Sequence, residues 1–364
     1  MNRRLFACLF LLAFTTVSGA AFAGPKIGVV SPTGNESLGA LGDQLRQGVA
    51  AYQATAGKPF DAIVTAPETC DAASGKRAAK TMADAKVSAV IGFLCPESLN
   101  AALPILSKAG ITTIGTSVRA EILMEDANRN DWPFYRIAPH NDQEVQTIVD
   151  VITKRWASAP FALVDDGTIY GRELAENVRV RLSDLGITPA FTDTYRPAQD
   201  KQFGLAHRLE RAGVTHIFVG GERPDIAVIA RDCAAIGLDL TIMGGDSLKA
   251  APGDLDLADG VLGVMTPAPD TLPSAKDALG VLAKQGIEPY GDVIPGYAAA
   301  ELVTEASKTG KPLPDALADG TFDTALGKIR FTAKHERTDN PFELMVWRDD
   351  HFAPVDGEGV GMGE

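Results

Sequence analysis

Eight polar side chains stand in short segments that directly follow apolar, β-rich runs: Glu97, Ser98, Thr116, Ser117, Arg119, Tyr170, Glu222 and Asp246. Hydroxyls and a guanidinium donate to a carboxylate, and acids accept from an ammonium, so this set suits a small zwitterion or carboxylate. Each residue also has a plainer structural reading. Asp246 can cap the helix that follows it, and Tyr170 can pack against its own loop. Thr116 and Ser117 can be turn-forming hydroxyls. Glu97 can be a favourable charge in a helix's first turn, and the reach of Ser98 depends on how the helix at Pro96 begins. Arg119 and Glu222 can form a salt bridge across a cleft. Catalysis is poorly supplied. There are five histidines, no zinc-protease signature, no phosphate-binding loop and no GxGxxG dinucleotide loop. No Cys or His cluster has metal-ligand spacing, so neither a metal nor a cofactor is expected.

The elements that must position these residues alternate along the chain. Strands are predicted at 26–30, 61–65, 87–91 and 111–114, with helices at 43–55, 71–86 and 96–108 between them and a loop and short helix after. Asp71 is a plausible N-cap, and Pro96 suits a first helical turn. A second series follows, with helices at 143–156, 171–185, 203–212 and 224–236 and strands at 161–164, 190–195, 216–219 and 240–243. After Gly260 the pattern changes. Strands are expected at 261–265, 329–332, 343–347 and 352–355, and helices at 274–284, 293–307 and 313–317. Such alternation predicts α/β architecture with parallel sheets and helices on both faces. Two βα series with late returning segments suggest two lobes crossed by the chain more than once. Ligands of open α/β sheets bind beyond the carboxyl ends of the strands, here the loops 31–42, 93–98, 115–120, 165–171, 220–223 and 244–247. Several of these loops lead into helices, whose N-terminal N–H groups favour an anion.

The first residues read as an export signal. Arg3 and Arg4 are followed by an apolar stretch at 5–14 and by Ala21-Phe22-Ala23, so cleavage is expected after residue 23. Cys8 lies inside the apolar stretch and does not follow a cleavage site, which argues against a lipid anchor. The expected location is the periplasm. The net charge of −13 excludes a nucleic-acid surface and a polybasic membrane contact. In an oxidising compartment a Cys70–Cys95 bridge is favoured over two unrelated buried thiols. It would close a loop of about 26 residues and contribute about 3.5 kcal/mol by the loop-entropy argument. Cys233 lies in an apolar helical pattern and reads as a buried free thiol.

Several ordered stretches are similar to one family. "KIGVVSPTGNESLGALGDQLRQGVAAYQ" resembles its first strand, glycine-containing loop and helix. "TCDAASGKRAAKTMADAKVSAVIGFLC" resembles the segment closed by its disulfide. "LVDDGTIYGRELAE" and "IFVGGERPDIAVIARDCAAIGLDLTIMGGDSL" resemble strand ends of its second lobe. The chain thus resembles, over nearly its whole mature length, the periplasmic solute-binding proteins of branched-chain amino acid ABC transporters, type I. The resemblance implies two Rossmann-like lobes joined by a three-crossing hinge, with crossings near 137–139, 265–267 and 331–333. The lobes would be 24–138 with 267–332, and 139–266 with 333–364. It implies a monomer that closes on a small-molecule ligand, an amino acid or related carboxylate, and docks on an inner-membrane ABC permease.

The same resemblance implies roles. The ligand carboxylate would meet hydroxyls and backbone N–H groups at 95–98, including Cys95 and Ser98, and at 116–118, including Thr116 and Ser117. Asp246 would take the ammonium, and Tyr170 would cover the ligand. There are departures: Pro96 where a serine is common, Glu222 and Leu41 where aromatics are common, and an added positive charge at Arg119. Arg119 would take a second ligand carboxylate or pair with Glu121 or Glu222. The same scaffold could instead bind an organic acid or amide, or serve a sensor. A more remote reading is a serine esterase, because Gly245-Asp246-Ser247-Leu248 spells the nucleophile tetrad of one esterase family. That family places the tetrad near the start of the domain. Here it follows many elements, no late Asp-x-x-His occurs, and His335 and His351 stand in polar runs that predict exposure.

Overall fold

A computed structural model describes residues 24–33, 36–55, 57–156 and 158–355. The expected export signal at 1–23, two residues of the first strand-end loop, and the end of the second expected lobe at 356–364 lie outside the described residues.

Five parallel strands build the first sheet: β1 (Lys26–Pro32), β2 (Ala62–Glu68), β3 (Ala89–Gly92), β4 (Thr112–Gly115) and β5 (Phe134–Arg136), in the order β2-β1-β3-β4-β5. The second sheet holds β6 (Phe161–Asp165), β7 (Phe191–Thr194), β8 (His216–Gly220), β9 (Thr241–Gly244) and β10 (Leu262–Met265). The intervening hairpin is β11 (Phe322–Thr324) with β12 (Gly327–Ile329), and β13 (Glu343–Arg348) and β14 (His351–Pro354) return to the second sheet. Its order is β14-β13-β10-β9-β8-β6-β7, with β13 antiparallel to β10 and β14.

The strands read as near-continuous apolar runs because both sheet faces are covered. Ile27, Val29 and Ile91 pack on Leu302 and Val303 of the helix Val293–Lys308. Val30 and Val90 pack on Met82 and Leu103 from the other side. The chain leaves the first sheet after β5, builds β6 to β10, and then returns. The late helices pack against the first sheet's elements, and the chain goes back to the second sheet at β13. The mixed α/β architecture of two lobes with mainly parallel sheets is the one expected.

Differences are local. β5 and β11 were not expected, because three residues are too few to show a period. The first helix begins at Glu36. The helix expected over 143–156 is α-helical at Asn141–Val151 and ends in a π-helical turn, Ile152–Trp156. Cys70 and Cys95 are joined, with Cα atoms 5.0 Å apart. Asp71 caps its helix by accepting from the Ser74 N–H at 2.8 Å. Cys233 is a buried free thiol, its pKa pushed up to about 11 by burial and then by Asp232. Among the described residues no helix is long and apolar enough to cross a membrane.

Candidate functional site

Two loops that follow the carboxyl ends of strands, one from each sheet, meet. After β4 the chain runs through Thr116, Ser117 and Arg119 before the helix Glu121–Arg129. After β9 it runs through Gly245 into a short 3-10 turn, Asp246–Lys249. Arg119 Nη2 lies 2.9 Å from Asp246 Oδ2, joining the lobes. The Arg119 guanidinium also sits 5.7 Å from the Phe342 ring centroid. Its partner is therefore neither Glu121 nor Glu222. Glu121 is drawn instead to Arg136 at 3.1 Å, and Glu222 is exposed, its side chain forming no hydrogen bond or ion pair among the described residues. Burial, with the charges of Asp166 and Asp225, raises the Glu222 pKa.

Asp246 is heavily engaged. Besides Arg119, its carboxylate meets Lys249 Nζ at 2.6 Å and accepts from the Thr266 N–H at 3.1 Å. It caps no helix: Gly245 holds the N-cap position, and the Asp246 side chain points across the cleft instead. The Asp246 N–H donates to Glu144 Oε1 at 2.8 Å, and the Tyr170 hydroxyl donates to the same oxygen at 3.2 Å. Glu144 is fully buried, and its Oε2 has no hydrogen-bond partner among the described residues. Burial raises its pKa to about 7; the Asp246 N–H opposes that rise and the Asp246 charge adds to it. Burial also raises the Tyr170 pKa, aided by the charges of Glu144 and Asp246. Gly245 permits this arrangement by lacking a side chain. A Cβ there would lie 2.5 Å from Glu144 Oε1 and 3.1 Å from the Tyr170 hydroxyl.

In the first lobe, Thr116 Oγ1 lies 3.5 Å from Ser117 Oγ, and Ser117 donates to Asp292 Oδ1 at 2.7 Å. Ser98 is not brought to this group. It is fully buried, and its hydroxyl donates to the Asp71 carbonyl at 3.3 Å beside Ser74. Helix phase explains this: Pro96 and Glu97 take the exposed side of the first turn, leaving Ser98 against the neighbouring helix. Cys95 is buried at the N-cap position of that helix and held in the disulfide. Leu94 N–H donates to Glu68 Oε1 at 2.7 Å. Glu68 is fully buried, and desolvation lifts its pKa to about 7 against the hydrogen bond from Leu94.

Glu68, Glu144 and Asp292 were not singled out from sequence. Glu144 looks like an ordinary first-turn acid beside Asp142, and Asp292 like a helix cap. Only Glu68 left a faint signal, as a charged residue ending an apolar strand next to Cys70.

Ser247 Oγ donates to the Gly221 carbonyl at 2.7 Å, and none of the five histidines hydrogen-bonds to it. His351 is exposed, whereas His335 is half-buried and stacks on Tyr135 at 4.2 Å. The exposure expected of His335 is thus corrected: the ring is held by an aromatic neighbour. Among the described residues no group of His, Cys, Asp and Glu is placed to hold a metal ion. A surface recess of about 420 Å³ lined by Arg179, Ser183, Ile187 and Phe191 lies along β7 and contains none of the strand-end residues.

A two-lobed α/β fold whose strand-end loops meet across a cleft is the architecture of a binding protein. A family profile described as "Periplasmic binding protein" matches residues 25–351, and the chain belongs to that family. It is 26% identical over 366 residues to the leucine-, isoleucine-, valine-, threonine-, and alanine-binding protein of Pseudomonas aeruginosa, covering 95% of this chain and 96% of that one. Its fold is similar to an ABC transporter substrate-binding protein of Desulfitobacterium hafniense in complex with Leu (TM-score 0.70, 19% identity, 91% of this chain and 100% of that chain). It is also similar to a solute-binding protein of an ABC transporter from Rhodopseudomonas palustris in complex with p-hydroxybenzoic acid (TM-score 0.67, 17% identity, 91% and 95%).

Proposed function

We propose that this chain is the extracytoplasmic solute-binding component of an ABC importer. It takes a small amino acid or related carboxylate between its lobes and does not transform it. The observation that carries this reading is the Arg119–Asp246 contact, which joins strand-end loops of the two sheets where a ligand of an α/β fold sits. The lobes are 24–138 with 267–332, and 139–266 with 333–364. Thr116, Ser117, Arg119 and backbone N–H groups beside Cys95 face the ligand from the first, with Ser98 left out of the site by its burial. Tyr170, Glu222 and Asp246 face it from the second. Hinge closure desolvates the ligand's charges and so demands a partner for each, which gives selectivity. The closed monomer then docks on a permease of the inner membrane. The ligand named for the Pseudomonas aeruginosa relative supports an amino acid.

A second reading, an organic acid lacking an ammonium, is favoured by one observation. The Asp246 carboxylate already has three donors, two of them cationic. The aromatic acid in the Rhodopseudomonas palustris neighbour fits the same reading. Thermal shifts of the ligand-stripped protein with aliphatic, polar and acidic amino acids and their des-amino counterparts separate the two, because a ligand of the native state stabilises it by mass action. A shift from an amino acid that disappears with its amino group supports the first reading; shifts from the des-amino acids alone support the second. Ester turnover abolished by Ser247→Ala would overturn the non-enzymatic reading.

A further inference from the structure

Asp292 begins the helix Val293–Lys308 yet makes no cap hydrogen bond with its side chain. An aspartate at an N-cap ordinarily accepts from the helix's free N–H groups. Here the carboxylate turns instead to Ser117 Oγ, in the strand-end loop two residues before Arg119. It is 9% exposed, and among the described residues Ser117 is its only side-chain partner and no cation pairs with it. Its position is held from behind, where its N–H donates to Gln44 Oε1 at 3.2 Å and its carbonyl accepts from Gly296 N–H at 2.9 Å.

A carboxylate can accept about four hydrogen bonds and is costly to bury without a counter-charge. Asp292 is short of both, and burial raises its pKa, opposed only by the Ser117 hydroxyl. Because Ser117 gives its proton to Asp292, the pair offers only lone pairs to an incoming group. The contrast with Asp246 is direct: that acid already meets a guanidinium, an ammonium and a backbone N–H.

We infer that the Asp292–Ser117 pair, and not Asp246, receives a positively charged nitrogen of the ligand. This rests on the inter-lobe binding reading above and deepens it, because it names the residues that take the ligand's cationic nitrogen. Asp246 then serves to hold Arg119 in place.

Calorimetric titration of the ligand-stripped full chain tests the inference with three probes: L-leucine, L-lysine and 4-methylpentanoate, which is leucine without its nitrogen. Asp292→Asn and Asp246→Asn are compared with wild type. The expected result is that wild type binds leucine or lysine more tightly than 4-methylpentanoate. Asp292→Asn then loses on the order of 100-fold for the nitrogen-bearing probe, and Asp246→Asn loses less. Ser117→Ala provides a second arm should Asp292→Asn fail to fold, with a smaller loss in the same direction. An unchanged affinity in Asp292→Asn, or in Ser117→Ala when that arm is used, overturns the inference and leaves the binding reading standing. So does wild-type preference for 4-methylpentanoate. Binding of none of the three by wild type overturns both.

Discussion

Arg119 and Asp246, 127 residues apart in sequence, meet at 2.9 Å and tie the two lobes together at the cleft. The contact connects to the hinge. The Arg119 carbonyl accepts from Arg136 Nη1 at 2.8 Å, and the buried Arg136 pairs with Glu336 at 2.6 Å where the chain returns toward the second sheet. A latch built this way is modest in energy, since Arg119 is 30% exposed and its charge is partly screened. A double-mutant cycle on Arg119→Ala and Asp246→Ala, read by denaturant unfolding, should give a coupling of about 1 kcal/mol. Small-angle scattering of ligand-free Arg119→Ala should report a more open particle than wild type.

Glu144 makes stability depend on pH. Its folded pKa is about 7, against an ordinary value of 4.5, because it is buried. Between those values the native state keeps a proton that the unfolded chain has released. The group's contribution is therefore complete below about 4.5 and is lost as pH rises through about 7. Glu144→Gln keeps an oxygen for Asp246 N–H and the Tyr170 hydroxyl but carries no charge. It should be more stable than wild type by roughly 2–3 kcal/mol at about pH 8. Melting curves across pH should show a shallower fall for the variant; the fall persists in part because Glu68 and Glu301 are raised in the same way.

Gly245→Ala should disturb the second-lobe side of the site more than its size suggests. The added methyl meets Glu144 Oε1 at 2.5 Å and Leu174 Cδ2 at 2.9 Å, so buried groups must move. Overpacking of this kind costs about 1–3 kcal/mol, and it would shift Asp246, whose N–H is held by Glu144. Equilibrium unfolding and ligand titration should both worsen; a variant matching wild type in both would show that the Glu144 contact is easily displaced.

The Cys70–Cys95 bridge ties the end of β2 to the segment after β3. Replacing both cysteines by alanine should lower stability by about 2–4 kcal/mol, chiefly by freeing the unfolded chain. Wild type in reductant should fall toward the same value by chemical denaturation, whereas the double variant should not respond to reductant.

The alternation of apolar strands with helices was legible because it is a local property. Periods of about two and 3.6 residues are written in each segment, and they sufficed for the two lobes, the strand-end loops and the helix starts at Asp71 and Pro96. The Cys70–Cys95 pairing was legible from the expected compartment and from the resemblance of that segment to one closed by a disulfide. The site's internal partnerships were not. Ser98 and Glu97 are neighbours in sequence, and only the phase of their helix buries one and exposes the other. Arg119 had two acids in prospect, Glu121 and Glu222, yet Glu121 meets Arg136 and Arg119 meets Asp246, a partner 127 residues away that no local pattern offers. Ser117 and Asp292 are 175 residues apart, so no period or spacing links them. Burial of Glu144 depends on a helix from one segment closing over a turn from another. Sequence by itself determined where the strand ends lie and which residue types gather there. Tertiary packing decided which acids are paired and which is left open, because desolvation and charge pairing depend on distances that exist only after the lobes have formed.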